Sequence, residues 1–155
     1  MMYLKKIPET SKELYISGYE ALNTPDSSGI PADWHPRLYW YSKKEGEVLK
    51  LYNNTKLGNR GIEERYIPYI NKKVFIANHP RAIADLVMLT NDLDTLTGCV
   101  DDFAFDEEQK RELLILLLEV DKYKDIEWFI KYELTKLYFE YKRGKQLWEN
   151  IKKIE

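Results

Sequence analysis

Apolar side chains recur every three or four residues through the second half of the chain, the spacing of one buried helix face. The first such stretch begins at a capping residue and a proline and ends at a glycine, over residues 78–98. A second follows a capping box at 106–109 and is apolar nearly all round from 113 to 120, which predicts a central helix. A third begins near Asp125, and Gly144 predicts a break before a short amphipathic tail. These patterns predict a C-terminal bundle of three to four helices.

The N-terminal part carries a helix signal of its own. Residues 10–13 read as a capping box, and apolar positions follow at helical spacing: Tyr15, Tyr19 and Leu22. Residues 23–29 are rich in proline, glycine and small polar side chains, which ends the helix and opens a loop that reaches Pro36. We therefore predict an N-terminal helix followed by a loop of about 13 residues, a length that is often functional.

Aromatic and branched residues dominate the stretch between these helical regions. Residues 38–42 and 48–52 predict one hairpin, and residues 66–70 and 74–77 predict a second. Pro68 removes a backbone donor, so its strand should lie at an edge or be irregular. The prediction is a small antiparallel sheet over about 38–77, and the fold class is α+β.

Length and composition narrow the class of protein. The 155 residues fit a single domain spanning 1–155, and the longest apolar run, six residues, is far too short for a membrane span. The single cysteine excludes an intrachain disulfide and a cysteine-based zinc site, and no N-terminal signal is recognisable, so we expect a cytoplasmic protein. A net charge of −2 argues against a dedicated nucleic-acid binder.

Charge is sorted along the chain. Residues 92–108 contain seven acidic side chains and no basic one, whereas residues 131–153 contain seven basic and three acidic ones. Such blocks are solvated faces or partner surfaces at which charge steers association.

Aromatic residues are in surplus, with twelve tyrosines and four tryptophans. A two-stranded ribbon cannot hide neighbouring aromatics on both faces, because alternate side chains point to opposite sides. Tyrosine and tryptophan are enriched at contact surfaces, since they bury large area yet keep a polar tip. We therefore predict a protein-binding surface formed by Trp34, Arg37, Tyr39, Trp40, Tyr41, Trp128, Tyr132 and Trp148.

Both histidines lie in the same tripeptide, His-Pro-Arg, at 35–37 and 79–81. Histidine exchanges protons near neutral pH, so a search for an acid–base or metal site must consider these two positions. The alternative prediction is a small hydrolase or nuclease that uses His35, His79, Asp33, Asp85 and Arg81. We expect no bound metal, because three or four ligands must converge and only sequence-distant pairs are available.

Arginines offer a further possibility. Arg37, Arg60, Arg65 and Arg81 could bind an anion through their planar guanidinium groups. The structural alternative is a salt bridge in which Glu63 or Glu64 neutralises Arg81.

Residues 74–89 resemble a known family. A hydrophobic strand runs into Asn78-His79-Pro80-Arg81-Ala82 and then a leucine-containing helix. This stretch resembles the strand-to-helix segment of antitoxins from abortive-infection, nucleotidyltransferase-partnered (type IV) toxin–antitoxin systems. Those antitoxins carry an N-terminal winged helix-turn-helix that binds DNA, and residues 1–73 show no such pattern. The resemblance therefore implies the toxin-contacting half.

Surplus aromatics, sorted charge and an incomplete catalytic set together predict a non-enzymatic protein-interaction module. We expect it to bind and restrain a partner macromolecule, antitoxin-like or associated with mobile-element defence. The expected partner is another protein, such as a toxin or effector, and no cofactor is expected.

Overall fold

A computed structural model describes residues 1–26, 29, 31–33, 35–103 and 105–154, without the side chains of 147–149 and 151–154. The fold is α+β, as predicted. In chain order its elements are β1 (Tyr3–Leu4), α1 (Gly18–Leu22), α2 (Pro36–Tyr39), β2 (Tyr41–Ser42), a 3-10 turn (Thr55–Leu57), β3 (Ile62–Ile67), β4 (Lys72–Ala77), α3 (His79–Leu89), a second 3-10 turn (Leu93–Leu96), α4 (Cys99–Asp102), α5 (Glu107–Asp121), α6 (Glu127–Glu133) and α7 (Thr135–Ile154).

Residues 1–17 form β1 and isolated β-bridges, with a turn at 11–14 and no helix, so the predicted helix is shorter and begins later than the sequence suggests. Thr10 does not cap a helix, because its hydroxyl accepts a hydrogen bond from the backbone N–H of Phe75. Tyr15 and Ile16 form β-bridges to Tyr52 and Ile76 instead. Tertiary pairing with distant segments has overridden the local helix signal.

The first predicted hairpin is wrong. Residues 36–39 form a helical turn rather than a strand, and β2 pairs antiparallel with β1 at the N-terminus. Val48 and Tyr52 also bridge to the N-terminal segment, at Lys6 and Tyr15. The N-terminal segment thus takes the backbone partners that the predicted hairpin would have used.

The second predicted hairpin is present, with a shifted first strand. Strands β3 and β4 are antiparallel over six residue pairs, from Ile62 opposite Ala77 to Ile67 opposite Lys72. Pro68 lies in the connecting turn, where its missing backbone donor costs nothing.

The helix starts predicted at residues 78 and 106 are confirmed, but the first helix ends at Leu89 rather than at Gly98, which instead precedes α4. The Asn78 side chain accepts from the Arg81 backbone N–H at the start of α3. Asp106 and Gln109 form the predicted capping box of α5. Gly144 does not break α7, because a glycine inside a helix costs only about 1 kcal/mol relative to alanine.

A continuous hydrophobic core joins both halves of the chain. Helices α3 and α5 pack together at its centre, and α1 and β4 close one side against α3. The fully buried side chains include Tyr15, Trp40, Ile76 and Phe129. Among the described helices, none combines the length and apolar character that crossing a bilayer requires.

Candidate functional site

Arg81 and Asp85 form a buried ion pair one turn apart on α3. Both side chains are fully inaccessible, and Arg81 Nε lies 3.0 Å from Asp85 Oδ1. Three further donors reach the same carboxylate: Tyr15 Oη at 2.8 Å, Ser17 Oγ at 2.7 Å and Asn54 Nδ2 at 2.9 Å. The charge of Asp85 is therefore satisfied within the core.

The guanidinium group of Arg81 organises the irregular segment 54–60. Its Nη1 donates to the carbonyl oxygens of Gly58 at 2.9 Å and Arg60 at 2.7 Å, and Nη2 donates to that of Asn54 at 3.1 Å. Nη2 also donates to Tyr15 Oη at 2.7 Å. Burial and the charge of Asp85 raise the pKa of Tyr15, so its hydroxyl stays protonated. This arrangement has a structural role, because all of these donors form hydrogen bonds within the protein itself.

His79 is also buried and faces the turn that follows α1. Its Nε2 donates to the carbonyl oxygen of Thr24 at 2.9 Å, and its Nδ1 lies 3.3 Å from Asp26 Oδ2. Burial lowers the pKa of His79, and the hydrogen bond to Thr24 and the charge of Asp26 oppose that shift. The imidazole thus ties α3 to the 24–26 turn.

The other histidine lies on the surface. His35 precedes α2, and its Nε2 lies 3.6 Å from Asp33 Oδ1. Its backbone N–H donates to Asn23 Oδ1 at 2.7 Å, so both His-Pro-Arg segments contact neighbouring residues of one turn. The imidazole of His35 is largely exposed whereas that of His79 is not, so the alternative acid–base set does not converge on an open cleft.

The structure corrects the predicted arginine contacts. Arg81 pairs with Asp85 rather than with Glu63 or Glu64. Arg65 is the partner of Glu63, at 3.4 Å, and donates to the carbonyl oxygens of Pro25 and Ala77. Arg65 and Arg81 therefore both form salt bridges, which is the structural alternative to an anion site. The acid that pairs with Arg81 is Asp85.

Part of the predicted aromatic surface lies inside the protein. Trp40 has no exposed area, and its Nε1 donates to the carbonyl oxygen of Glu20 at 3.0 Å, so it cannot contact a partner. Tyr39 and Tyr41 are half-buried, and the Tyr39 ring stacks on Tyr19 with 5.1 Å between centroids. These aromatics escape solvent because the segment turns helically at 36–39 instead of running as a flat ribbon.

Arg37, Trp34 and Trp148 also belong to the predicted protein-binding surface. Arg37 is exposed and lines a shallow depression with Met2, His35 and Leu38. Trp34 lies outside the described residues, as does the side chain of Trp148.

A second group of aromatics does lie at the surface, on α6 and α7. Trp128 is 47% exposed, Tyr132 65% and Phe139 55%. Lys131 precedes Tyr132 on α6, and its Nζ lies 6.0 Å from the centroid of the Phe139 ring. We call Trp128, Lys131, Tyr132 and Phe139 the aromatic face. Phe139 was not among the predicted binding residues, although its position off the core stripe of α7 is visible in the sequence.

Buried and charged side chains fix this face in place. Phe129, Ile130 and Leu134 are buried directly beneath it, and the Trp128 ring meets Phe129 edge-on at 5.9 Å. Tyr138 Oη donates to the carboxylate of Glu127. Lys142 Nζ lies 3.7 Å from the same carboxylate, so α6 and α7 are joined by polar contacts as well as by packing.

Within the described part of the chain, no group of three or more histidine, cysteine or acidic side chains could hold a metal ion. Cys99 is buried, and burial raises the pKa of its thiol, which disfavours the reactive thiolate. No family model, curated protein or solved structure matches this chain.

Proposed function

We propose that this protein is a non-enzymatic interaction module that binds and restrains a partner protein through the aromatic face. The observation that carries the proposal is the exposure of Trp128, Tyr132 and Phe139, each about half or more accessible to solvent. Large aromatic side chains grouped at a surface mark contact sites, because burying them in a complex releases their hydration.

The charge around this face indicates the chemistry of the partner. Lys131, Lys136 and Lys142 are exposed on α6 and the first half of α7. A partner with an acidic rim around an apolar patch would complement them, because opposite charges speed association and disfavour wrong partners.

The antitoxin-like character of the module is part of the proposal and rests on the resemblance of residues 74–89. These residues form β4 and α3 and are mostly buried. In the proposed complex they support the fold, while α6 and α7 supply the contacts to a toxin or effector. The proposed location is the cytoplasm, and the single reduced cysteine is consistent with it.

The hydrolase or nuclease alternative is less well supported. Arg81 and Asp85 have no exposed side-chain area, and their donors and acceptors contact other protein groups. His35 is the exposed member of the set, so comparing hydrolase and nuclease activity between wild type and His35→Ala tests this alternative directly. An activity abolished by His35→Ala in a folded protein would favour the enzyme.

The proposal is tested by purifying the tagged chain from its native cells beside two variants. Trp128→Ala/Tyr132→Ala removes two aromatics of the face, and Tyr66→Ala removes an equally exposed aromatic from β3 as the matched control. Wild type and Tyr66→Ala should retain one stoichiometric protein that the double variant loses. With that protein purified, the double variant should bind at least roughly tenfold more weakly, as expected for contact residues of this kind. Equal retention by all three chains, or no retained protein, contradicts the proposal.

A further inference from the structure

We infer that the distal part of α7, residues 140–154, packs against the acidic segment 92–108 of a second copy, giving a two-fold symmetric dimer. This inference does not rest on the proposed function. It uses a different part of α7 from the aromatic face, and it concerns the pure chain rather than a partner.

Helix α7 leaves the core of its own chain about one turn after it begins. Leu137 and Tyr138 are buried, whereas every described side chain from Phe139 to Gln146 is exposed. A helix of about 15 residues is marginal in water without tertiary packing, so a covering surface would stabilise this part of α7.

The sequence continues an apolar pattern from the end of α6 along α7. Apolar or small residues follow at alternating intervals of three and four: Leu134, Leu137, Tyr141, Gly144, Trp148 and Ile151. This is the spacing of a helix that packs along one stripe against another element. Tyr141 belongs to it and is 38% exposed within the single chain.

The charges on α7 indicate which kind of surface can cover it. The helix carries six basic and two acidic residues over 135–154, so two copies of α7 lying side by side would repel each other. The acidic segment of the same chain has seven acidic residues and no basic one. All seven are exposed: Asp92, Asp94, Asp101, Asp102, Asp106, Glu107 and Glu108. A second copy therefore supplies a surface of the complementary charge.

The two surfaces meet at the start of α7. Asp101 and Glu107 line one depression together with Tyr132, Thr135 and Lys136. If a two-fold axis lies beside this depression, the α7 helix of each copy begins next to its own acidic segment and extends over the acidic segment of the other copy. Such an exchange is reciprocal and closes at two copies, which is the commonest symmetry of soluble oligomers.

Sedimentation equilibrium and light scattering on the full chain, over concentrations up to about 100 µM, test this dimer. Wild type should be a dimer at the upper end. Arg143→Glu/Lys145→Glu in α7 and, separately, Asp101→Lys/Asp102→Lys in the acidic segment should each weaken dimerisation by roughly tenfold or more. Mixing the two charge-reversed chains should restore dimerisation as a heterodimer, because both of its contacts then pair opposite charges; native mass spectrometry detects it. The control Lys43→Glu/Lys44→Glu, in an exposed turn far from either segment in sequence, should dimerise as wild type does.

Salt provides a measurement that needs no variant. Raising sodium chloride from about 0.05 M to about 1 M should weaken wild-type dimerisation, because exposed charge pairs are screened. Circular dichroism confirms that each variant is folded. A wild-type monomer at every concentration, a dimer insensitive to both reversals and to salt, or folded reversed chains that do not associate when mixed would overturn the inference. Because Tyr132 lines the depression beside the proposed axis, partner binding is judged separately, by the retention test with Trp128→Ala/Tyr132→Ala.

Discussion

Arg81 shows how one buried charge organises an irregular part of the chain. Its guanidinium group joins α3 to the carbonyl oxygens of Asn54, Gly58 and Arg60, which lie in a segment with little regular pairing. Asp85 supplies the balancing charge. Gly61 is needed beside it, because φ is +76° there and an added Cβ would lie 2.7 Å from Arg81 Cβ.

Removing either charge should destabilise the protein strongly. We expect Asp85→Ala or Arg81→Met to reduce the free energy of unfolding by about 3–5 kcal/mol, because each leaves a buried charge without its partner. The double variant should lose less than the sum of the two. Urea denaturation of all four proteins forms the double-mutant cycle. Additive losses would mean that the two groups do not depend on each other.

His79 should make stability depend on pH. Burial lowers its pKa in the folded state below the ordinary value of 6.5. Between these two pKa values the unfolded chain binds a proton that the folded chain does not, so stability falls as pH decreases through that window. We expect the difference in unfolding free energy between wild type and His79→Gln to shrink or reverse from pH 7.5 to pH 5.5. His35→Gln, at the exposed histidine, is the control and should leave the wild-type pH dependence in place.

At the scale of elements, helix boundaries follow local capping chemistry. The α5 helix begins where Asp106 accepts from the Gln109 backbone N–H at 2.8 Å and Gln109 reaches back to the Asp106 backbone. Its buried residues then hold α3 on one side and α6 and α7 on the other. The capping box thus starts the helix on which the rest of the bundle is assembled.

The cap can be tested by a single substitution. Asp106→Ala should reduce the free energy of unfolding by about 1 kcal/mol, because it leaves helix N–H groups without an acceptor. Glu108→Ala, two residues along and also exposed, keeps the cap and should change stability by less than about 0.5 kcal/mol. Chemical denaturation of both proteins makes the comparison, and equal losses would mean that the cap has no stabilising role.

At the scale of the whole molecule, the extended N-terminal segment connects parts that are distant in sequence. Backbone hydrogen bonds run from Lys5 N–H to the Trp40 carbonyl, from Lys6 N–H to that of Glu47 and from Leu49 N–H to that of Lys6. Further along, Ile16 donates to the Phe75 carbonyl and accepts from Ala77. The segment therefore links the two small sheets, because β1 pairs with β2 and Ile16 forms an isolated bridge to β4.

Deleting residues 1–7 should destabilise the protein far more than an ordinary terminal truncation. At roughly 1 kcal/mol for each backbone hydrogen bond, the three bonds between residues 5–6 and residues 40–49 alone account for a loss of about 3 kcal/mol, and the lost pairing of β1 with β2 adds to it. Deleting residues 1–2 removes none of those bonds and serves as the control. Thermal and urea unfolding measure both. A small loss on deleting 1–7 would show that residues 40–49 hold their positions without the N-terminal strand.

The sequence alone determined those features that depend on neighbours along the chain. The caps at Asn78 and Asp106, the central α5 helix and the hairpin that ends at Ala77 are encoded by residues a few positions apart. The exposure of Trp128 and Tyr132 is likewise encoded locally, because both residues lie off the apolar stripe of their helix.

Only the tertiary structure decided which distant segments pair. Tyr15 and Trp40 carry strong local signals for a helix and for an aromatic ribbon, yet both are buried where β-bridges and helical turns bring remote residues together. Asp85 lies only four residues from Arg81, so that pair is local, but only the fold brings Tyr15, Ser17 and Asn54 to the Asp85 carboxylate from far along the chain. Local propensities differ by at most about 1 kcal/mol per residue for most amino acids, whereas burying one large side chain contributes about 2–3 kcal/mol. Where the two conflict, burial prevails.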